Sequence, residues 1–135
     1  DTGTPDDIIH ANGEVLKNME PYFFGIKEDG VELSGNIMIG DNTKISNSSK
    51  ILGPCIIGRN CTIGRNCTIG PNVSVGDNSK LVDCNIKNSI IMENCSIDSN
   101  IKIRNSILAS NSSITLDNSN DEKVLLLGEG TKISL

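Results

Sequence analysis

The chain has 135 residues, which fits one domain, and 36% of them are hydrophobic. Nearly all of these are aliphatic, with 20 Ile against three adjacent aromatic residues, Tyr22, Phe23 and Phe24. Residues 1–32 carry eight acids and two bases, a charge of −6, and residues 33–135 carry nine acids and ten bases, a charge of +1. Neither part has the concentrated basic face of a nucleic-acid binder, and no apolar run reaches the roughly 18 residues of a membrane span.

The first segment predicts a helix. Thr4 is suited to an N-cap, Pro5 to the first turn, and Asp7 follows the cap by three residues. An apolar stripe with helical spacing should face the core, and the helix should end near Asn18, before Pro21. The stripe consists of Ile8, Ala11, Val15 and Met19, with Leu16. Because the first residue is Asp rather than Met, we expect the sequence to be a piece of a longer protein.

A repeat of six residues organises the chain from residue 33 to residue 81. An aliphatic residue recurs at every sixth position, often followed by Gly, with Asn three positions later and a small or β-branched residue four positions later. The aliphatic positions are Leu33, Ile39, Ile45, Ile51, Ile57, Ile63, Ile69, Val75 and Leu81. Gly and Asn both tolerate the left-handed backbone region, so each hexapeptide predicts one short strand and one bend.

Three bends of about 120° close a triangle, so 18 residues make one coil and coils stack at the strand spacing of about 4.8 Å. The sequence therefore predicts an all-β, left-handed parallel β-helix of about five coils, preceded by one α-helix. The phase slips between residues 82 and 90, which predicts a bulge or a tightened corner. The pattern also predicts a polar excursion at residues 115–123 and a last hexapeptide at residues 127–133.

Five cysteines are present, and none forms a C-x-x-C pair. Cys55, Cys61 and Cys67 fall on the small position of the repeat, which Thr43, Ser49 and Val73 fill elsewhere. Small core residues are therefore the favoured interpretation, ahead of a metal ladder or a disulfide framework. Reduced thiols favour a cytoplasmic protein.

The hexapeptide array resembles the left-handed β-helix superfamily, which includes hexapeptide acyltransferases and the C-terminal domains of sugar-nucleotide pyrophosphorylases. Three segments narrow the resemblance to sugar-1-phosphate nucleotidylyltransferases, especially long-form glucose-1-phosphate thymidylyltransferases. They are D-T-G-T-P-D-D-I-I-H-A-N at residues 1–12, the Gly-Pro coils at residues 50–58 and 69–76, and the later segments at residues 88–92 and 126–131. The motifs together span almost the whole chain.

The resemblance implies a division into residues 1–30, the helix and connector that end a catalytic domain, and residues 31–135, the β-helix domain. It implies that Asp1 is one of two carboxylates holding Mg²⁺ in the parent enzyme, which joins a nucleoside triphosphate and a sugar 1-phosphate with release of pyrophosphate. The second carboxylate, the nucleotide loop and the sugar pocket belong upstream. We expect this piece alone to lack catalytic activity and a cofactor, and to serve in assembly or regulation.

Two partners follow from the same resemblance: the protein's own catalytic domain upstream, and further copies of the chain, with a homotrimer as the first expectation. Open coil ends are unpaired strand edges, so helix 5–18 and Tyr22–Phe24 are expected to cap the first coil.

The alternative function is that of a hexapeptide acyltransferase domain using acetyl-CoA. Such enzymes place a catalytic His on or beside the coils, whereas residues 33–135 contain none and His10 belongs to the helix. Arg59 and Arg65 occupy equivalent outward positions of the repeat. They are interpreted as solvated corner residues, with a nucleotide phosphate or a subunit contact as alternatives.

Overall fold

Each hexapeptide folds as one short strand followed by one bend, and three such units complete a coil. The computed structural model describes residues 3–115 and 121–134. Within them, 20 strands form three parallel sheets, which we name A, B and C. The predicted fold class, an all-β parallel β-helix with one preceding helix, is confirmed. The arrangement is consistent with the left-handed form that the hexapeptide repeat predicts.

The strands follow the order A, B, C along the chain. Sheet A contains β1 (Tyr22–Phe23), β4 (Ile37–Ile39), β7 (Cys55–Ile57), β10 (Val73–Val75), β13 (Ser89–Ile91), β16 (Ile107–Leu108) and β19 (Leu126–Leu127). Sheet B contains β2 (Ile26–Lys27), β5 (Lys44–Ile45), β8 (Thr62–Ile63), β11 (Lys80–Val82), β14 (Ser96–Asp98), β17 (Ser113–Thr115) and β20 (Lys132–Ser134). Sheet C contains β3 (Glu32–Ser34), β6 (Lys50–Leu52), β9 (Thr68–Ile69), β12 (Asn85–Lys87), β15 (Lys102–Arg104) and β18 (Glu122–Lys123).

The core is a stack of aliphatic columns, one for each sheet. In sheet B, Ile45, Ile63 and Leu81 occupy successive coils in direct register, and each is at most 1% exposed. Full burial of such a side chain contributes roughly 1.5–3 kcal/mol. Because the columns leave little room for rings, the scarcity of aromatic residues follows from the fold.

The bends use a left-handed residue where the sequence pattern places Asn. On the corner that leads from sheet A to sheet B, which we call corner AB, five stacked asparagines have φ between 56° and 66°. These residues are Asn42, Asn60, Asn78, Asn94 and Asn111. The small residue that follows each Asn points inward: Thr43 and Cys61 are at most 1% exposed. Its polar atom bonds to backbone, as the Thr43 hydroxyl does in donating to Gly58 O at 2.6 Å.

The predicted phase slip is a pair of tightened corners. The left-handed residues Asp83 and Asn88 come two positions after the inward Leu81 and Ile86, instead of three as in the regular units. The register consequently drops from 18 residues per coil to 17 between Ile69 and Ile86 and to 16 between Leu81 and Ile97.

The coil count exceeds the predicted five, because seven strands lie in each of sheets A and B and six in sheet C. Two strands, β1 and β2, precede the first visible hexapeptide. The predicted excursion at residues 115–123 includes β18, where Glu122 and Lys123 pair with Lys102 and Ile103. Residues 116–120 of that excursion lie outside the described residues.

The first coil is open at its end. Leu33, the first aliphatic of the repeat, lies on the edge strand of sheet C and is 37% exposed, because no coil covers it. The rings of Tyr22 and Phe24 stack with centroids 5.2 Å apart. A cavity of about 310 Å³ lies there, lined by Pro21, Tyr22, Phe23, Leu33, Gly35 and Ile37.

Helix α1 (Pro5–Lys17) starts and ends as predicted. The Thr4 hydroxyl accepts a hydrogen bond from the Asp7 backbone N–H at 3.1 Å, and Asn18 is the C-cap. No helix in the described part of the chain is long and apolar enough to cross a membrane.

The predicted position of α1 is wrong: it lies along the side of the solenoid and does not cap the first coil. Its C-terminal end meets Asn36, whose side-chain N–H donates to Leu16 O at 3.1 Å and to Met19 O at 2.8 Å. Its middle meets Ser74, two coils further on. A helix of 13 residues is about 20 Å long, the height of about four coils.

The predicted apolar stripe of α1 is also wrong in part. Ile9, Gly13 and Leu16 form the buried side, whereas Ile8 and Val15 are 44% and 61% exposed. The buried side faces sheet A, whose outward positions include the fully buried Met38. Both sets have helical spacing, so the sequence pattern alone did not separate them.

Replacing Asn60 tests the left-handed corner. Asn60 is exposed and has φ 58°, so Asn60→Ala should destabilise the fold by about 1–2 kcal/mol, while Asn60→Gly should be close to neutral. Urea unfolding followed by circular dichroism measures both. Equal losses for Ala and Gly would show that an interaction of the Asn side chain, and not the backbone conformation, stabilises this corner.

Candidate functional site

A ladder of asparagines marks the corner that leads from sheet C to sheet A. Asn72, Asn88 and Asn105 occupy successive coils there, each with a left-handed backbone. The side-chain N–H of Asn72 donates to Asn88 Oδ1, and that of Asn88 donates to Asn105 Oδ1 at 2.6 Å. The amides therefore form a chain parallel to the solenoid axis.

A glycine allows helix α1 to pack closely against this corner. A Cβ atom at Gly13 would collide with Oδ1 of Asn72 and lie 2.9 Å from its Cγ. Beside it on the helix, Asn12 and Ser74 bond reciprocally: Asn12 Nδ2 donates to Ser74 Oγ at 2.8 Å, and Ser74 Oγ donates to Asn12 Oδ1 at 3.1 Å. The Asn72 Oδ1 atom is buried without a hydrogen-bond partner among the described residues, and it faces the Gly13 backbone.

A groove of about 340 Å³ lies between the ladder and the N-terminal half of α1. It is lined by Asp6, Ile9, His10, Asn72, Asn88 and Asn105. The three amides supply hydrogen-bond donors and acceptors, Ile9 supplies an apolar contact, and Asp6 and His10 add two ionisable side chains. The groove is therefore suited to holding a small polar group.

His10 lies at the rim of this groove and is highly exposed. Its Nε2 atom is 3.9 Å from Glu14 Oε1, and the same carboxylate is 3.0 Å from Lys17 Nζ. The hydrogen bond from Lys17, with its charge, lowers the pKa of Glu14. The interpretation of His10 as a solvated helix residue agrees with this exposure.

Asp1, the predicted Mg²⁺ ligand, lies outside the described residues. Helix α1 begins beside the groove: Asp6 and His10 of the helix line the groove together with Asn105. The ladder of Asn72, Asn88 and Asn105 was not predicted from the sequence. The available signal was an Asn two positions after the inward Ile86 and Ile103, at the spacing that the phase slip creates.

Arg59 and Arg65 lie on two different corners, and each faces an aspartate one coil further on. Arg59 Nη2 is 3.6 Å from Asp77 Oδ2, and Arg65 Nη2 is 3.0 Å from Asp83 Oδ2. Both arginine side chains are about two-thirds exposed. They are corner residues with partners in the chain, in line with the simpler of the interpretations drawn from the sequence.

All five cysteines are free and buried, as the small-residue interpretation predicts. Cys67 and Cys84 occupy neighbouring coils with their Sγ atoms 4.0 Å apart. Cys61 Sγ lies 3.2 Å from Gly76 O, in the position where Thr43 uses its hydroxyl. Burial raises the pKa of the Cys55 thiol to about 12, so this thiol stays protonated inside the fold.

A scan against protein-family models matches residues 51–134 to the GMPPB C-terminal domain. That range is more than half of the chain. The chain belongs to the GMPPB C-terminal domain family. This GMPPB-type domain is therefore a nucleotidyltransferase-associated domain with the hexapeptide-type β-helix, in agreement with the resemblance to sugar-1-phosphate nucleotidylyltransferases. A search of the curated proteins finds no match.

Solved structures share the fold of this GMPPB-type domain at low sequence identity. A Bacillus cereus protein described as a putative acetyltransferase superposes with a TM-score of 0.69 at 16% identity, covering 82% of this chain and 69% of its own. A point mutant of AntD, an N-acyltransferase from Bacillus cereus in complex with dTDP and coenzyme A, superposes with a TM-score of 0.61 at 14% identity. In that pair, 85% of this chain and 83% of AntD are covered. At such identities the likeness concerns the fold alone.

Substituting Gly13 tests the close packing of α1 against Asn72. Alanine favours an isolated helix by about 1 kcal/mol, but the collision with Asn72 should make Gly13→Ala destabilising by about 1–3 kcal/mol. In an Asn72→Gly background, which keeps the left-handed corner, the penalty of Gly13→Ala should largely disappear. Denaturant unfolding of the four proteins in a double-mutant cycle measures this coupling. A Gly13→Ala variant that is more stable in both backgrounds would contradict the helix position.

The Cys55 thiol should make the fold sensitive to alkali. Its pKa is 9.0 in an ordinary setting and about 12 in the fold, so above pH 9 the unfolded chain loses a proton that the folded chain keeps. Stability should fall by up to about 1.4 kcal/mol per pH unit between pH 9 and 12 from this group. Cys55→Val, the residue at the equivalent position Val73, should flatten the slope of unfolding free energy against pH. An unchanged slope would assign the alkaline loss to other groups.

Proposed function

We propose that this domain is the C-terminal assembly and regulatory domain of a sugar-nucleotide pyrophosphorylase, of the glucose-1-phosphate thymidylyltransferase type. Such an enzyme joins a nucleoside triphosphate and a sugar 1-phosphate and releases pyrophosphate. The observation that carries the proposal is the GMPPB C-terminal domain match over residues 51–134. The D-T-G-T-P segment at residues 1–5 adds support, since it resembles the end of the catalytic domain in this class of enzyme.

The contacts of α1 suit a regulatory connection between the two parts of such an enzyme. The helix is fixed at its middle by Asn12 and Ser74 and at its end by Asn36. Helix α1, with its N-cap at Thr4, is thereby joined to the side of the solenoid. A displacement of the solenoid would move α1 with it, and we infer that a β-helix domain can in this way influence a catalytic site that it does not form.

The resemblance places only one of the two Mg²⁺ carboxylates, Asp1, in this chain. Mg²⁺ requires octahedral oxygen coordination, and among residues 3–115 and 121–134 no three His, Cys, Asp or Glu side chains are grouped to hold a metal. Asp1 alone does not fit the ion. No chemical step is therefore assigned to a metal held by this chain, and the catalytic carboxylates belong to the proposed upstream domain.

Acyl transfer is the second candidate, because two solved structures of the same fold are described as acyltransferases. Within the sequence, residues 33–135 supply no His to act as a general base beside the coils. The thiols that could serve as nucleophiles are buried, and burial raises the pKa of Cys55. These observations favour the assembly role.

Pyrophosphate release tests the proposal. The polypeptide encoded by the complete gene is incubated with Mg²⁺, glucose 1-phosphate and each of the common nucleoside triphosphates, and the 135-residue chain is assayed in parallel. We expect release with dTTP by the complete polypeptide and a rate at the level of the blank for the 135-residue chain.

The same experiment separates the alternatives. A preference for another nucleotide or another sugar 1-phosphate would contradict the thymidylyltransferase assignment while leaving a pyrophosphorylase. Absence of pyrophosphate release, together with acetyl-CoA binding by calorimetry, would overturn the proposal in favour of acyl transfer.

A further inference from the structure

Cys67 and Cys84 form a pair on the corner that leads from sheet B to sheet C, which we call corner BC. Their side chains lie in the core on neighbouring coils, both residues are 0% exposed, and their Sγ atoms are 4.0 Å apart. Among the described residues, this is the one hydrogen-bonding contact between two cysteines. The thiols of Cys61 and Cys95, by contrast, lie 3.2 Å and 3.3 Å from backbone carbonyl oxygens.

The shortened unit of the solenoid creates this pair. One coil before Cys67, the same column holds Ser49, and the backbone N–H of Cys67 donates to Ser49 Oγ at 3.2 Å. The spacing is 18 residues from Ser49 to Cys67 and 17 from Cys67 to Cys84, because Asp83 takes the left-handed backbone one position early. A regular spacing of 18 residues would place Asn85 beside Cys67 instead.

The two thiols change each other's ionisation. The hydrogen bond with Cys84 lowers the pKa of the Cys67 thiol, and the same contact raises the pKa of the Cys84 thiol. Burial raises the pKa of the other three thiols, those of Cys55, Cys61 and Cys95. Because the thiolate is the nucleophilic form of cysteine, Cys67 is the best nucleophile of the five, and Cys84 lies beside it as a second thiol.

The separation of the two coils is compatible with a disulfide. Neighbouring strands lie about 4.8 Å apart, and the Cα atoms of a disulfide are separated by about 4.4–6.8 Å. Shortening the distance between the Sγ atoms from 4.0 Å to about 2.05 Å requires rotation of the two side chains rather than a separation of the coils.

We propose that Cys67 and Cys84 form an oxidisable dithiol site, at which a peroxide converts the two thiols into a disulfide that ties two neighbouring coils together. The Cys67 thiolate attacks one peroxide oxygen, the O–O bond breaks, and the departing hydroxide takes up the proton that Cys67 lost, leaving a sulfenic acid on Cys67. The Cys84 sulfur then attacks the sulfenic sulfur, the S–O bond breaks as the S–S bond forms, and hydroxide leaves with the Cys84 proton as a second water. Two thiols thus lose two electrons in total, and one peroxide is reduced to two waters.

The outer side of corner BC limits access to the pair. Arg65 Nη2 lies 3.0 Å from Asp83 Oδ2, and Asn66 Nδ2 donates to Asp83 Oδ1 at 3.4 Å. These residues directly precede the two cysteines, and Arg65 and Asn66 are exposed, so local opening of this corner admits a small oxidant such as hydrogen peroxide. We expect the reaction to be slower than that of an exposed thiol, and to end at the disulfide because the second thiol is already in contact.

Peptide mapping after peroxide treatment tests the site. The reduced full chain is treated with hydrogen peroxide, its remaining thiols are alkylated in denaturant, and the product is digested with trypsin without reduction. Cleavage at Lys80 separates the two cysteines, so that peptide 66–80 contains only Cys67 and peptide 81–87 contains only Cys84. We expect these two peptides to be linked and the other three cysteines to be alkylated. The same treatment in urea, where the fold is lost, should give mixed pairings.

Matched serine substitutions identify the pair. Cys67→Ser copies Ser49 of the same column and should abolish the cross-link. Cys61→Ser copies Ser79 of its own column and should leave the cross-link intact. Oxidation of the original chain should also lower the equilibrium constant of urea unfolding about tenfold or more, an effect that Cys67→Ser should not show.

Three results would overturn the dithiol site: retention of all five thiols after peroxide treatment, cross-links distributed at random among the cysteines of the folded chain, or loss of the cross-link in Cys61→Ser. The peptide map of the original chain decides the question even if Cys67→Ser folds poorly. The inference depends on the fold alone and goes beyond the proposed function, and its outcomes are independent of pyrophosphate release.

Discussion

Parallel hydrogen bonding between successive coils is the constraint on which the rest of the structure depends. Each strand is only two or three residues long, so a single coil has almost no internal stability and is held by its neighbours above and below. The inward side chain of one coil must lie directly on that of the next. This requirement keeps Ile45, Ile63 and Leu81 in one column and explains why the repeat tolerates little variation in shape.

To keep that register, the corners must turn the chain by nearly the same angle in every coil. Most bends use one residue in the left-handed region, and the chain supplies it at stacked positions along the corners. Where a unit is shortened, as at Asp83 and Asn88, the left-handed residue moves one position earlier and the column of buried residues survives. Variation in the length of the repeat is thus absorbed at the surface, because a gap in the core would cost much more.

The same stacking places equivalent outward residues in rows along the axis, and these rows form the surfaces that other elements can contact. The Asn72, Asn88 and Asn105 ladder is one such row, and its contact with Gly13 seats α1 at the side of the solenoid. The family match covers residues 51–134, so it includes this ladder but leaves α1 outside. The place of α1 therefore comes from the contacts of this chain itself.

Much of the architecture could be predicted from the sequence, because a period of six in aliphatic, Gly and Asn residues is compatible with few backbone shapes. The strand-and-bend unit, the buried cysteines and the start of α1 at Thr4 all depend on local chemistry, namely side-chain size, left-handed tolerance and capping. The number of coils was harder to predict from the sequence. Strands β1 and β2, which lie at one end of sheets A and B, lack the hexapeptide pattern and were therefore not predicted as part of a coil.

What only the tertiary structure decided is how distant segments meet. Helix α1 has apolar residues on two sides, and which side is buried depends on the shape of sheet A and on the space that Gly13 leaves beside Asn72. The amide ladder joins residues 16 and 17 positions apart, a spacing fixed by the number of residues in each coil and not by any local motif. The sequence by itself determined the coil and its core, because these follow from a short repeat; the groove and the rows were decided by stacking, because stacking alone sets which residues become neighbours.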